Sequence, residues 1–264
     1  MKKIALFLIL LFIPVVAGSY ISISTTITSE IIENGSSLME ISIEQIGDES
    51  AYNIETEVIS PEYIKIYGKM EIPRLDPGLT AWNTFNISFT RELSGGFFPV
   101  VARIKYEDAN GHPFSIVSPY KLKMGEAAKS VVTGSVEKLE ISKNEEAYLK
   151  VKINNPSEKT KEITIRIYLP REIESGMNQK IIALGPETET ETSFKITNKN
   201  AIAGSNYYIP VSLEYDEEKH YTKFINGNIS IVEKKGDFNL ITILSSIFII
   251  LALIYIYLKG GIKK

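Results

Sequence analysis

The sequence predicts an all-β protein: two tandem immunoglobulin-like β-sandwiches followed by one C-terminal transmembrane helix. Three observations carry that expectation. Apolar and polar residues alternate with period two through the middle of the chain, the pattern of a half-buried strand. The chain repeats itself at an offset of 109 residues. An uncharged run of 21 residues, Phe238 to Leu258, stands near the C-terminal end.

The N-terminal stretch comes first. Lys2 and Lys3 precede an apolar run from Ile4 to Ile13, which Pro14 interrupts before small residues follow. That order is the charged region, apolar region and cleavage site of a secretory signal peptide, expected over residues 1–18 with cleavage after Ala17 or Gly18. The apolar stretch falls short of the ~20 residues a membrane span needs.

The first half of the repeat, residues 19–124, then reads as strands. Met39, Ile41 and Ile43 alternate with polar neighbours, as do Ile54, Thr56 and Val58, then Phe85, Ile87 and Phe89. The longest alternation is Phe98, Val100, Ala102, Ile104 and Tyr106. Asn110-Gly111 marks a hairpin turn, and Phe114 to Leu122 returns as the last strand. Residues 125–129 form the expected linker, poor in large aliphatic residues and short enough to limit relative movement.

The second half, residues 130–233, repeats the pattern. Leu75-Asp76-Pro77-Gly78 matches Leu184-Gly185-Pro186-Glu187, Phe85 and Ile87 match Phe194 and Ile196, and Gly95 matches Gly204. Ile104 and Tyr106 match Leu213 and Tyr215. With one residue of slack, Ile41 and Ile43 are set against Leu149 and Val151. Tyr207 and Tyr215 are expected to face the core, as Phe98 and Tyr106 are. About seven strands in roughly 105 residues per half is the rhythm of an immunoglobulin-like sandwich. A period this long is a duplicated domain and not a solenoid.

Phe238 to Leu258 is then long enough to cross a bilayer. Lys259, Lys263 and Lys264 follow it with no acid among them, so the tail 259–264 is expected in the cytoplasm and the sandwiches outside. The expected location is the plasma membrane, with a single pass. Between the two ends, 32 acids face 24 bases, a net charge of −8. That balance argues against nucleic acid as a partner. The chain has no cysteine, so each half must be held by its core.

A signal peptide, tandem sandwiches with "LDPG" and "LGPE" before an aromatic-apolar strand, a membrane helix and a lysine tail resemble archaeal cell-surface proteins. Their adhesion-type or S-layer-associated sandwich modules include the CARDB group. The resemblance implies a surface-anchored interaction protein and carries over no functional residue.

No residue set argues for chemistry. The zincin, nucleophile-elbow, phosphate-loop and dinucleotide motifs are absent, and no catalytic residue, metal site or cofactor is expected. His112 and His220 fall at equivalent turns, one per half, and read as turn residues lying a domain apart. Asn34, Asn86 and Asn228 open N-x-Ser triplets and are candidate glycosylation sites. Trp82, the only tryptophan, and Phe97, beside a turn expected to be flexible at Gly95 and Gly96, are candidate exposed contacts. The expected function is non-enzymatic: extracellular binding, adhesion or surface structure, with a surface protein or glycan as partner. The alternatives are an accessory subunit beside a multi-span membrane protein such as a transporter, and a sandwich-scaffold hydrolase.

Overall fold

The computed structural model describes residues 20–30, 36–126 and 129–233. The expected signal peptide, membrane helix and tail lie outside the described residues, as do Asn34 and positions 127 and 128 of the expected linker. Among the described residues, no helix is long and apolar enough to cross a membrane.

The described residues are all-β and form sandwich-like sheets. The first half holds β1 (Ile23–Ser29), β2 (Ser36–Gln45), β3 (Ala51–Ile59), β4 (Ile64–Tyr67), β5 (Met70–Leu75), β6 (Thr80–Phe89), β7 (Gly96–Glu107) and β8 (Pro113–Met124). The second holds β9 (Thr133–Val136), β10 (Leu139–Ile141), β11 (Glu146–Asn155), β12 (Lys161–Ile167), β13 (Ile173–Ser175), β14 (Gln179–Leu184), β15 (Thr188–Asn198), β16 (Asn206–Asp216) and β17 (His220–Ile231). The short strands β1, β4, β5, β9, β10, β13 and β14 carry too few alternations to stand out in the sequence.

The duplication extends to topology. The sheet β1-β2-β6-β4 has its counterpart in β9-β11-β15-β13, and the order β5-β3-β7-β8 recurs as β14-β12-β16-β17. Each pair of sheets closes on its own core. Met39, Ile41, Ile43, Phe85, Ile87, Phe98 and Ile104 fill the first. Leu149, Val151, Ile153, Phe194, Ile196 and Leu213 fill the second, with Tyr207 and Tyr215 turned inward. The matched turns agree as well: Gly78 and Glu187 both take positive φ, 77° and 51°.

The register corrects one part of the sequence alignment. Met39 stands opposite Phe85 and Leu149 opposite Phe194, so Ile41 and Ile43 correspond to Val151 and Ile153. The expected match to Leu149 and Val151 is displaced by two residues. Gln45 and Asn155 then become equivalents, both fully buried at the ends of their strands. The Gln45 Oε1 accepts hydrogen bonds from the Ser22 and Gly47 amides, each at 3.1 Å. Asn155 Nδ2 donates to the carbonyls of Lys159, Leu184 and Gly185 at 2.9, 3.1 and 2.9 Å. Each amide satisfies backbone groups that a tight turn would otherwise bury unpaired.

Candidate functional site

Two regions carry side chains that packing within a sandwich does not explain. The first is a joint between the halves. On β16 the side chains facing away from the second core are Tyr208, Pro210, Ser212 and Glu214, and the last three are buried. On β7 the outward Pro99 and Val101 are buried too. The two outer sheet faces pack on each other, with Val101, Val117 and Tyr168 forming a small apolar cluster against Ile59 and Phe224.

Polar contacts fix the register of this joint. The His220 amide donates to the Gly95 carbonyl at 2.9 Å, and Thr222 Oγ1 donates to the Phe97 carbonyl at 2.6 Å. Arg103 Nε donates to the Leu169 carbonyl at 3.0 Å and Ser115 Oγ to Glu172 Oε2 at 2.7 Å. Gly96 is where β17 approaches β7, and a Cβ there would collide with the His220 carbonyl oxygen. The turn read as flexible is therefore a docking point, with φ of 138° at Gly96.

His220 corrects a second expectation. It does not simply flank a turn a domain away from the first half. Its ring stacks on Phe98, with centroids 4.4 Å apart and planes 3° from parallel. Nδ1 meets Asp216 Oδ1 at 2.7 Å, and Nε2 points toward Glu214 Oε2 at 3.8 Å. His112, at the equivalent position, is exposed and bonded to Asp108 in its own turn.

The joint perturbs its ionisable groups. Burial pushes the Glu214 carboxyl above the ordinary range, against the opposing pull of Arg166. Burial also raises Glu172, against its hydrogen bond from Ser115. The Tyr168 hydroxyl is pushed up to about 12 by burial and by Glu214. Asp216 goes the other way, held low by its hydrogen bond from His220.

The second region is the outer face of the β1-β2-β6-β4 sheet. Trp82 is 65% exposed there, opposite Ser42. Tyr67 and Leu38 flank Asn86 on the neighbouring strands and are 59% and 44% exposed. Ser24, Thr26, Thr28, Glu40, Glu44, Thr80 and Thr84 lie on the same face as exposed residues, as does Lys65, opposite Ser88. The counterpart face of the second half carries charge pairs beside one exposed aromatic, Tyr148, 60% exposed at the position equivalent to Leu38. There Lys150 pairs with Glu191 at 3.5 Å, Lys152 with Glu137 at 3.3 Å and Lys195 with Glu146 at 2.8 Å.

The remaining candidates are scattered. Asn86 and Asn228 are exposed on their strands. Phe97 is half-buried, with Lys121 Nζ 4.9 Å from its ring centroid. The structure therefore does not bring Trp82 and Phe97 together: Trp82 lies on the outer sheet face and Phe97 beside the joint. Sequence reasoning missed the joint residues Tyr168, Glu172, Ser212 and Glu214. On β16 the signal was Pro210 and Ser212, uncharged at outward positions, whereas Tyr168 and Glu172 lie between β12 and β13 and gave none. Among the described residues, no group of three or more His, Cys, Asp or Glu is disposed to hold a metal ion.

No family model matches the chain, and no curated protein matches it. Solved structures do match. A protein of unknown function from Porphyromonas gingivalis W83 is 10% identical, with a TM-score of 0.33 over 79% of this chain and 99% of that one. Red sea bream transglutaminase is 8% identical, with a TM-score of 0.27 over 83% of this chain and 32% of its own. Escherichia coli alpha-2-macroglobulin in its native conformation is 6% identical, with a TM-score of 0.32 over 79% of this chain and 17% of its own. The chain thus spans a minor part of the last two proteins.

Proposed function

We propose that the protein is a non-catalytic binding protein of the cell surface. In this reading two immunoglobulin-like sandwiches, bounded by residues 19–124 and 130–233, stand outside the plasma membrane on the helix 238–258. The observation that carries it is the joint. Val101, Val117 and Tyr168 are buried between the halves, so the pair acts as one fixed body. A fixed pair presents its outer faces in a constant orientation, which lowers the ordering cost of binding. The likeness to archaeal surface sandwich proteins agrees with this reading.

The test uses the full-length chain in its own cells. Protease added outside should digest the sandwiches and spare a tag at the C-terminus. The purified chain in mild detergent should then be retained by the cell-envelope fraction. A protected sandwich region, or a chain that no envelope component retains, would overturn the proposal. In the second case a surface spacer would remain.

A further inference from the structure

Trp82 sits in a place a fold does not require. Its side chain lies on the solvent side of β6, while the cores are filled by Phe85 and Ile87 on the opposite side. At 65% it is the most exposed of the large hydrophobic residues described, and it shares its sheet face with Tyr67 and Leu38, so the exposure is not that of one scattered side chain. The duplicated half supplies an internal comparison. Trp82 corresponds to Glu191, and the opposing Ser42 to Lys152. The same sheet position in the duplicated half takes a charged residue, paired with Lys150 at 3.5 Å, where the first half has the indole.

The arrangement along the sheet selects the ligand class. From Trp82 to the row Tyr67–Asn86–Leu38 is four residues of strand, about 13 Å. Between those apolar ends stand Thr84 and Glu40, directly opposite each other. A protein interface needs a contiguous apolar centre depleted of charge. Closing a protein over this face would strip water from the Glu40 carboxylate without a partner. A sugar chain offers both kinds of surface. Its C–H faces stack on the rings, and its hydroxyls donate to Glu40 and exchange hydrogen bonds with the threonines. Charge narrows the class further. Glu40 and Glu44 outnumber Lys65 on the face, and the segment around it carries the net charge of −8, so a polyanion is disfavoured.

We infer that the outer face of the β1-β2-β6-β4 sheet binds a neutral polysaccharide, stacked between Trp82 and Tyr67. This inference rests on the surface-binding function proposed above and names its face and ligand.

Because Trp82 is the only tryptophan, its fluorescence reports on this face alone. The full-length chain in mild detergent is titrated with cello-, chito- and mannohexaose, with oligoalginate as the charged control. It is made in a host without N-glycosylation, since Asn86 shares the face. At least one neutral hexaose should shift and saturate the emission, and oligoalginate should not. Tyr67→Ala should weaken that titration at least tenfold. Retention on the corresponding insoluble polysaccharide should fall by a similar factor in Trp82→Ala and less in Trp82→Phe. Both positions are exposed, so circular dichroism should be unchanged. No emission change with any neutral hexaose at millimolar concentration overturns the inference, as does retention that survives Trp82→Ala. Envelope retention unaffected by Trp82→Ala would overturn the inference and leave the surface-binding function standing. Loss of envelope retention by the unaltered chain would remove both.

Discussion

Glu172 holds its carboxylate where water does not reach. It is 1% exposed, Ser115 supplies one hydrogen bond to Oε2, and Oε1 has no partner in the structure. Burial raises its pKa above the ordinary value of 4.5, so folding shifts the carboxyl toward its acid form relative to the unfolded chain. A group with a raised folded pKa binds more protons folded than unfolded in the window above 4.5, so its contribution falls as pH rises through that window. Glu172→Gln imitates the protonated side chain. Its unfolding midpoint in urea should match the parent near the bottom of that window and exceed it near pH 7, by on the order of 1 kcal/mol. A gap that closes with rising pH would reverse the assignment. Asp216 works in the opposite sense. His220 holds it low, so its contribution is present above the ordinary aspartate range and is lost as pH falls through the lowered value.

At the scale of the element, the duplicated turns allow one half to correct the other. Gly78 and Glu187 occupy the same turn with φ of 77° and 51°. A residue with a Cβ pays roughly 1 kcal/mol in that region, and glycine does not. Glu187→Gly should therefore raise stability slightly, by about 0.5 kcal/mol, after glycine's extra unfolded entropy is subtracted. Denaturant titration would read the sign, and a loss of more than that amount would show that Glu187 has a role the turn does not reveal. The alternation of β2 and β7, and of their partners β11 and β16, was legible in the sequence because their buried inward residues are apolar throughout, apart from Gln45 and Asn155 at the strand ends. The register of β2 against β11 was not. A pattern of period two looks the same after a shift of two residues, and only the cross-strand pairs Met39–Phe85 and Leu149–Phe194 decide it. The joint was hidden for a related reason. Ser212 and Glu214 read as the wet face of β16, yet both are covered, because polar residues that find partners can be buried. Trp82 was visible by its rarity, whereas the aromatic and hydroxyl platform around it depends on which strands lie side by side.

On the scale of the whole molecule, the question is whether the joint couples the halves or merely lets them touch. Two sandwiches of this size would each have a stability of roughly 5–15 kcal/mol on their own. Coupled unfolding requires that separating them costs an appreciable part of that. Tyr168 is the group to remove. It is among the largest fully buried side chains, lies against Val101 and Val117, and bonds through its hydroxyl to Ser212 at 3.3 Å. Tyr168→Ala should cost about 3 kcal/mol, as truncations of buried aromatic residues do. Because Tyr168 belongs to the joint and to neither main core, the loss should fall on the coupling. Calorimetry of the full-length chain in mild detergent should give one β-sheet transition whose van't Hoff and calorimetric enthalpies agree. In Tyr168→Ala the same trace should separate into two transitions, one for each half. If the unaltered chain already melts in two steps, the contacts at Gly96, Thr222 and Ser115 are too weak to hold the pair, and the fixed-body basis of the proposed function fails with them.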